Sequence, residues 1–139
     1  NLKNGNKIIY KKDNIMKLSL LKSDLILSYY TMQFIHPKYR QTILNKIYQS
    51  LNWGGAFIMF EKIRANDARF QDIFSIVYND FKLQNGYSAD EIINKTKSLK
   101  GVLDPFSTKG NLDLLKRAGF KDISTVAKFV CFEVFLAIK

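Results

Sequence analysis

The sequence runs to 139 residues, 47% apolar and 24% charged, with 11 Phe, 7 Tyr and a formal charge of +10. A chain of that size builds one hydrophobic core, and its apolar content is too high for intrinsic disorder. No apolar run reaches the ~20 residues that span a bilayer, one cysteine cannot close an internal disulfide, and a single histidine beside it lacks the ligand spacing of a zinc site. A cytoplasmic protein with no membrane segment and no metal is therefore expected, and no basic-then-apolar leader opens the sequence. The positive charge is mostly lysine dispersed from Lys7 and Lys11 to Lys116 and Lys121, the pattern of a solvated surface, so direct nucleic-acid binding is not expected. Cys131, inside Phe129-Val130-Cys131-Phe132, reads as an inert core thiol.

Residues 7–12 read as a short strand ending at Asp13-Asn14, and residues 24–30 as a second, largely apolar strand of the kind a parallel sheet buries on both faces. A helix follows His36-Pro37: Ile43, Ile47 and Leu51 recur at helical spacing, while Lys38, Arg40, Gln41 and Gln49 take the opposite face. Gly54-Gly55 is its expected stop, and residues 56–63 read as a third strand, completing a βαβ unit. From 67 to 83, Phe70, Ile73, Phe74, Val77 and Phe81 trace an amphipathic helix broken at Asn85-Gly86. Ser88 with Glu91 three residues on is a capping box, opening a third helix that ends near Gly101. Residues 110–118 give a fourth, with Leu112, Leu115 and Ala118 inward and Gly119 as stop. Residues 123–130 and 131–138 then pair as an antiparallel hairpin. One domain over 1–139 is expected, with a helical insertion at about 67–100. Because the first residue is Asn1 and a strand-like run follows almost at once, the sequence is expected to be part of a longer chain.

Strands of this order, mostly parallel and finished by an antiparallel hairpin, resemble the C-terminal part of the α/β, Rossmann-like class I S-adenosylmethionine (SAM) methyltransferase fold. Three stretches go further: Tyr30-Thr31-Met32-Gln33-Phe34, Leu51-Asn52-Trp53-Gly54-Gly55, and Phe81-Lys82-Leu83-Gln84-Asn85-Gly86-Tyr87-Ser88. With Glu61-Lys62 and Lys116-Arg117-Ala118-Gly119-Phe120 they resemble the carboxy-S-adenosylmethionine synthase (CmoA) family from about residue 7 onward. That resemblance implies SAM as cofactor and a place in tRNA wobble-uridine modification, where family members convert SAM with prephenate into its carboxylated sulfonium. It implies Asp13 and the Asn14 backbone as adenine contacts, a carboxylate accepting from the exocyclic amine and an N–H donating to a ring nitrogen.

Two positions depart from the family pattern. An Arg that would grip the product's extra carboxylate is replaced by Thr96, after Lys95, and a cofactor-side Asn by Tyr29. A hydroxyl cannot form the bidentate, charge-assisted pair, so the resemblance implies a SAM-dependent methyltransferase acting on a small molecule or a tRNA-pathway substrate ahead of a true synthase. Tyr30, Tyr87 and Thr96 are the expected substrate-side residues, with Tyr29 toward the cofactor. His36 and Glu61 are the candidate catalytic groups, the first at a strand-to-helix turn and the second at a strand end. A rival reading is a non-catalytic subunit that pairs with another chain, a second copy or a missing N-terminal half. The glycine-rich loop and ribose-binding acid of such folds do not occur before Lys7. The 139-residue chain alone is accordingly expected to bind SAM poorly; titration calorimetry showing micromolar affinity would contradict this.

Overall fold

The computed structural model describes residues 8–139. Four strands form one sheet in the order β1 (Ser23–Tyr29), β2 (Leu51–Lys62), β4 (Phe132–Ile138), β3 (Asp122–Phe129). The parallel β1–β2 pair is joined by α1 (Pro37–Ser50), while β4 runs antiparallel to both β2 and β3. Between β2 and β3 come α2 (Ala68–Gln84), α3 (Ala89–Leu99) and α4 (Thr108–Ala118).

Local chemistry explains the boundaries. Pro37 occupies the first turn of α1, where its missing N–H costs nothing, and His36 caps it. Asp67, Ser88 and Ser107 cap α2, α3 and α4 by accepting backbone N–H groups, and the Ser88/Glu91 capping box is complete. The sheet buries alternate residues: Phe57, Met59 and Glu61 from β2 and Glu133, Phe135 and Ala137 from β4 face α1 and α4. Ile43, Leu44 and Ile47 of α1 and Leu114 and Leu115 of α4 close that layer. Phe120 stacks on Phe57 with centroids 6.1 Å apart and meets Tyr48 edge-on at 4.9 Å.

Several expectations need correction. Residues 8–13 form no strand; Ile8, Ile9 and Tyr10 are exposed, because this short run finds no partner strand among the described residues and an unpaired strand has no ladder to stabilise it. Lys7, the first residue of that expected strand, lies outside the described residues. Gly54-Gly55 belongs to β2, which starts five residues early and carries a bulge opposite Ser23–Leu25. A Cβ on Gly55 would sit 2.9 Å from the Asn52 carbonyl oxygen and 3.1 Å from that of Asp24, so the pair permits close backbone approach within the sheet. Arg40, assigned to the polar face of α1, is only 1% exposed. No residue of α2 is fully buried, and Phe70, Ile73, Val77 and Phe81 all remain exposed.

Gly119 ends α4 at φ +118, and a Cβ there would meet the Tyr48 ring at 2.8 Å. Gly119→Ala combines left-handed strain with a clash inside the aromatic cluster, and a loss of about 2 kcal/mol is expected in urea unfolding.

Candidate functional site

β1 and β2 run parallel, so their carboxyl ends open at the same edge, the position where open α/β sheets bind ligands. The chain leaves β1 through Tyr30, held at φ 50, a conformation that costs a non-glycine residue energy. Its N–H donates to the Phe60 carbonyl at 3.0 Å, fixing the turn on β2. A short helical turn, Met32–Phe34, follows.

Three buried polar side chains stitch this turn in place. The Met32 N–H donates to Glu61 Oε1 at 3.1 Å, and the Lys62 N–H donates to Gln33 Oε1 at 2.6 Å, so each loop end satisfies a backbone donor of the other. Arg40 donates from Nε to the Ile35 carbonyl at 2.8 Å and from Nη2 to those of Gln33 and Asp104 at 3.3 and 2.6 Å. Its guanidinium carbon lies 4.4 Å from the Phe106 ring centroid. Burial lowers the Arg40 pKa, while the charges of Asp104 and Glu61 oppose that shift.

Beyond this turn lies a cavity of about 630 Å³. Its floor is Gln33, Phe34, Lys62 and Phe132 at the sheet end; its far wall is Tyr78, Phe81, Lys82, Tyr87 and Thr96 from the insertion. The insertion is tied to the sheet by aromatic contacts, Tyr78 to Phe132 at 5.1 Å and Phe81 to Phe129 at 5.2 Å. This volume suits a small molecule, and mostly apolar walls with a few polar groups are the usual make-up of such sites.

The structure distributes the sequence-derived candidates unevenly. Tyr87 and Thr96 line the cavity, although the Thr96 hydroxyl already donates to the Ile92 carbonyl at 2.8 Å. Tyr30 is half-buried beside it, its ring 5.6 Å from Phe132 and 4.6 Å from Tyr29. Tyr29 itself is 64% exposed at the end of β1. Asp13 and Asn14 stand apart in an exposed loop: Asp13 Oδ1 accepts the Asn14 N–H at 2.7 Å, so that donor is already engaged, and Lys11 lies 3.6 Å from Asp13 Oδ2. His36 serves as the α1 cap, its Nδ1 accepting from the Lys38 N–H at 3.3 Å. Glu61 is 2% exposed and faces the α1–α4 side of the sheet.

Sequence reading missed Arg40, Tyr78, Lys62 and Lys82 as site-forming residues. The only signal was positional, since Gln33, Lys62 and Lys82 stand inside the quoted landmarks. Among the described residues no cluster of His, Cys, Asp and Glu could hold a metal, and no helix is long and apolar enough to cross a membrane.

No family model matches the chain. Individual proteins do: it is 42% identical over 135 residues to the carboxy-S-adenosyl-L-methionine synthase of Campylobacter lari, across 97% of this chain and 58% of that protein. The chain is a relative of the carboxy-S-adenosyl-L-methionine synthases. Another synthase, from Staphylococcus epidermidis, is 38% identical over 127 residues, 91% of this chain and 56% of its own. The chain thus spans a little over half the length of these curated synthases. In structure it is similar to human N-acetylserotonin methyltransferase in complex with SAM, at a TM-score of 0.60 and 16% identity over 93% of this chain and 33% of that one. This likeness supports the expected α/β class I methyltransferase fold.

Burial lifts the Glu61 carboxyl to about 8, with the Met32 amide, the Arg40 charge and the Gln33 amide pulling the other way. The folded protein therefore keeps the proton that the unfolded chain releases near 4.5. Stability from this group is full below about 4.5 and is lost as pH rises toward about 8. The urea midpoint is expected to fall between about pH 5 and about pH 8, and Glu61→Gln, which keeps an acceptor for Met32 without the titration, to flatten that slope.

Proposed function

We propose that this chain forms the acceptor-side half of a SAM-dependent transferase, with methyl transfer to a small-molecule or tRNA-pathway substrate as its chemistry. One observation carries the reading. The cavity sits at the carboxyl ends of the parallel strands, walled by side chains of α2 and α3. SAM supplies an electrophilic methyl group on sulfur; transfer breaks the sulfur–carbon bond, forms a bond from the acceptor to that carbon, and needs in-line alignment above all. Gln33, Glu61 and Arg40 contribute by fixing the β1 turn. Tyr30, Tyr87 and Thr96 border the acceptor, and Tyr29, Asp13 and Asn14 would offer one side of the cofactor. With Asp13 engaged by the Asn14 N–H and by Lys11, its remaining acceptor capacity and the exposed Tyr29 ring are what that side offers. These fit an open half-site rather than an enclosed pocket. We place the protein in the cytoplasm on the same reading, in keeping with its single unpaired cysteine.

Pairing with a second polypeptide has its own support. Among the described residues β1 is an edge strand, with Leu25, Leu27 and Tyr29 exposed along one face. The chain mixed with the amino-terminal portion of the Campylobacter lari relative is expected to bind SAM where the chain alone does not. Mass spectrometry after adding SAM and prephenate should show no carboxylated sulfonium. Appearance of that product would replace methyl transfer by the synthase reaction, and failure of the mixture to bind SAM would overturn the transferase reading itself.

A further inference from the structure

Basic residues scattered along the sequence converge at one end of the fold, the end where β1 and β2 begin, opposite the cavity. Lys22 immediately precedes β1, whose Ser23 pairs with Leu51 at the start of β2. Lys139 follows β4, its carbonyl accepting the Gly54 N–H at 2.8 Å and its own N–H donating to the Gly55 carbonyl at 3.0 Å. Because Asp122 pairs with Ile138, Lys121 lies beside Lys139 on the next strand. Lys116 and Arg117 form the last turn of α4, which hands the chain to β3 at this same end. The end of α1 explains part of the gathering: Lys22 and Lys139 donate to the Gln49 and Leu51 carbonyls there, at 2.7 and 2.8 Å. Lys116, Arg117 and Lys121 stay exposed. Among the described residues the carboxylates nearest these five cations in the chain are Asp24, Asp122 and Asp113, and Asp113 is taken by Lys109.

On the strand between Lys22 and Lys139 stands an aromatic ring left in water. Trp53 is 90% exposed, and Gly54 beside it, at φ +74, has open space where a Cβ would lie. The ring's surroundings in the sheet are polar or cationic: Asn52 donates to Asp24 Oδ1 at 2.8 Å, the two lysines flank it, and Leu21 adds a single exposed aliphatic chain. A protein partner or a lipid surface calls for a wider apolar patch around such a ring. A nucleobase calls only for the ring's π face, with cations nearby for the phosphates of its backbone.

We infer that this end of the sheet binds single-stranded nucleic acid, with a base stacked on Trp53 and the adjoining phosphates held by Lys139, Lys121 and the last turn of α4. Neighbouring strands lie about 4.8 Å apart, so Lys139 and Lys121 stand one and two strand spacings from Trp53 in the order β2, β4, β3. A single strand fits better than a duplex, whose bases already stack on one another and offer no free face to a protruding ring. Sequence dispersal hid the surface, because positions 22, 116, 117, 121 and 139 become neighbours only through the strand order. The cavity lies at the other end of the sheet, and the inference does not rest on the transferase reading.

Trp53 is the chain's sole tryptophan, so its fluorescence reports on this surface directly. Titration of the 139-residue chain with an oligouridylate of about ten nucleotides is expected to quench that emission, while inorganic polyphosphate, which carries the charge without the bases, leaves it unchanged. Raising the salt from about 50 to about 200 mM should weaken RNA binding about 20-fold, the effect of about three neutralised phosphates on a single strand. By anisotropy of the labelled oligouridylate, Trp53→Leu should bind about ten-fold more weakly with its salt dependence intact. Lys116→Gln combined with Lys121→Gln should also lose about ten-fold and flatten the salt dependence. All three side chains are exposed, so these variants keep the fold. Emission unmoved by the RNA, equal quenching by polyphosphate, or undiminished binding by Trp53→Leu would overturn the inference. A blue shift with phosphatidylserine vesicles and no response to RNA would overturn it too, in favour of a lipid-binding surface.

Discussion

Arg40 lies inside the protein with its guanidinium fork spread over the carbonyls of Ile35, Gln33 and Asp104, and the shape of the functional end follows from that placement. The three oxygens belong to two loops far apart in sequence, one leaving β1 and one preceding α4, and a rigid planar donor can serve both at once. Lysine in its place would offer a point charge without the fork. Removing the side chain would take the donor from the part-buried Ile35 and Asp104 carbonyls, while the Gln33 carbonyl would keep the Asp104 N–H at 3.0 Å. The Gln33 side chain, held by the same loop, then reaches the Lys62 amide and brings the end of β2 under the cavity.

Much of the fold was legible because its elements obey local rules. The capping box at Ser88, the proline at the start of α1 and the glycine ending α4 fixed three helices, and the antiparallel hairpin followed from two apolar runs too close to pair otherwise. Arg40 defeated the periodic argument, since a helical wheel assigns polar residues outward and carries no information about carbonyls arriving from another loop. The expected strand over 7–12 failed for the opposite reason: its composition suited a strand, but strand formation depends on a partner that composition does not reveal.

The candidate site was legible mainly through its landmarks. Tyr87 and Thr96 reached the cavity because the insertion carrying them is anchored by Tyr78 and Phe81 on the β3–β4 hairpin. His36 and Glu61 are common residue types for acid–base chemistry, but one is committed to capping a helix and the other to a buried backbone amide. Residue type at a strand end is a weak guide, because backbone donors left over at loop junctions compete for the same side chains. The lysines that face the cavity were invisible in a chain with lysine nearly everywhere, and only their shared position over Tyr78 separates them from the solvated majority.

The β2–β4 ladder pairs Ala56 with Ile138 and Lys62 with Phe132, so the centre of the sheet joins the middle of the chain to its last strand. On either side of that seam the contacts are more local: β1 and β2 close through α1, and β3 and β4 close through a two-residue turn. Folding speed falls as contacting residues become more distant in sequence. The two flanking units can therefore assemble early, while their union must await the ordering of the intervening segment, α2 through α4. The cavity wall belongs to that same intervening segment, so the pocket exists only where the seam is also in place.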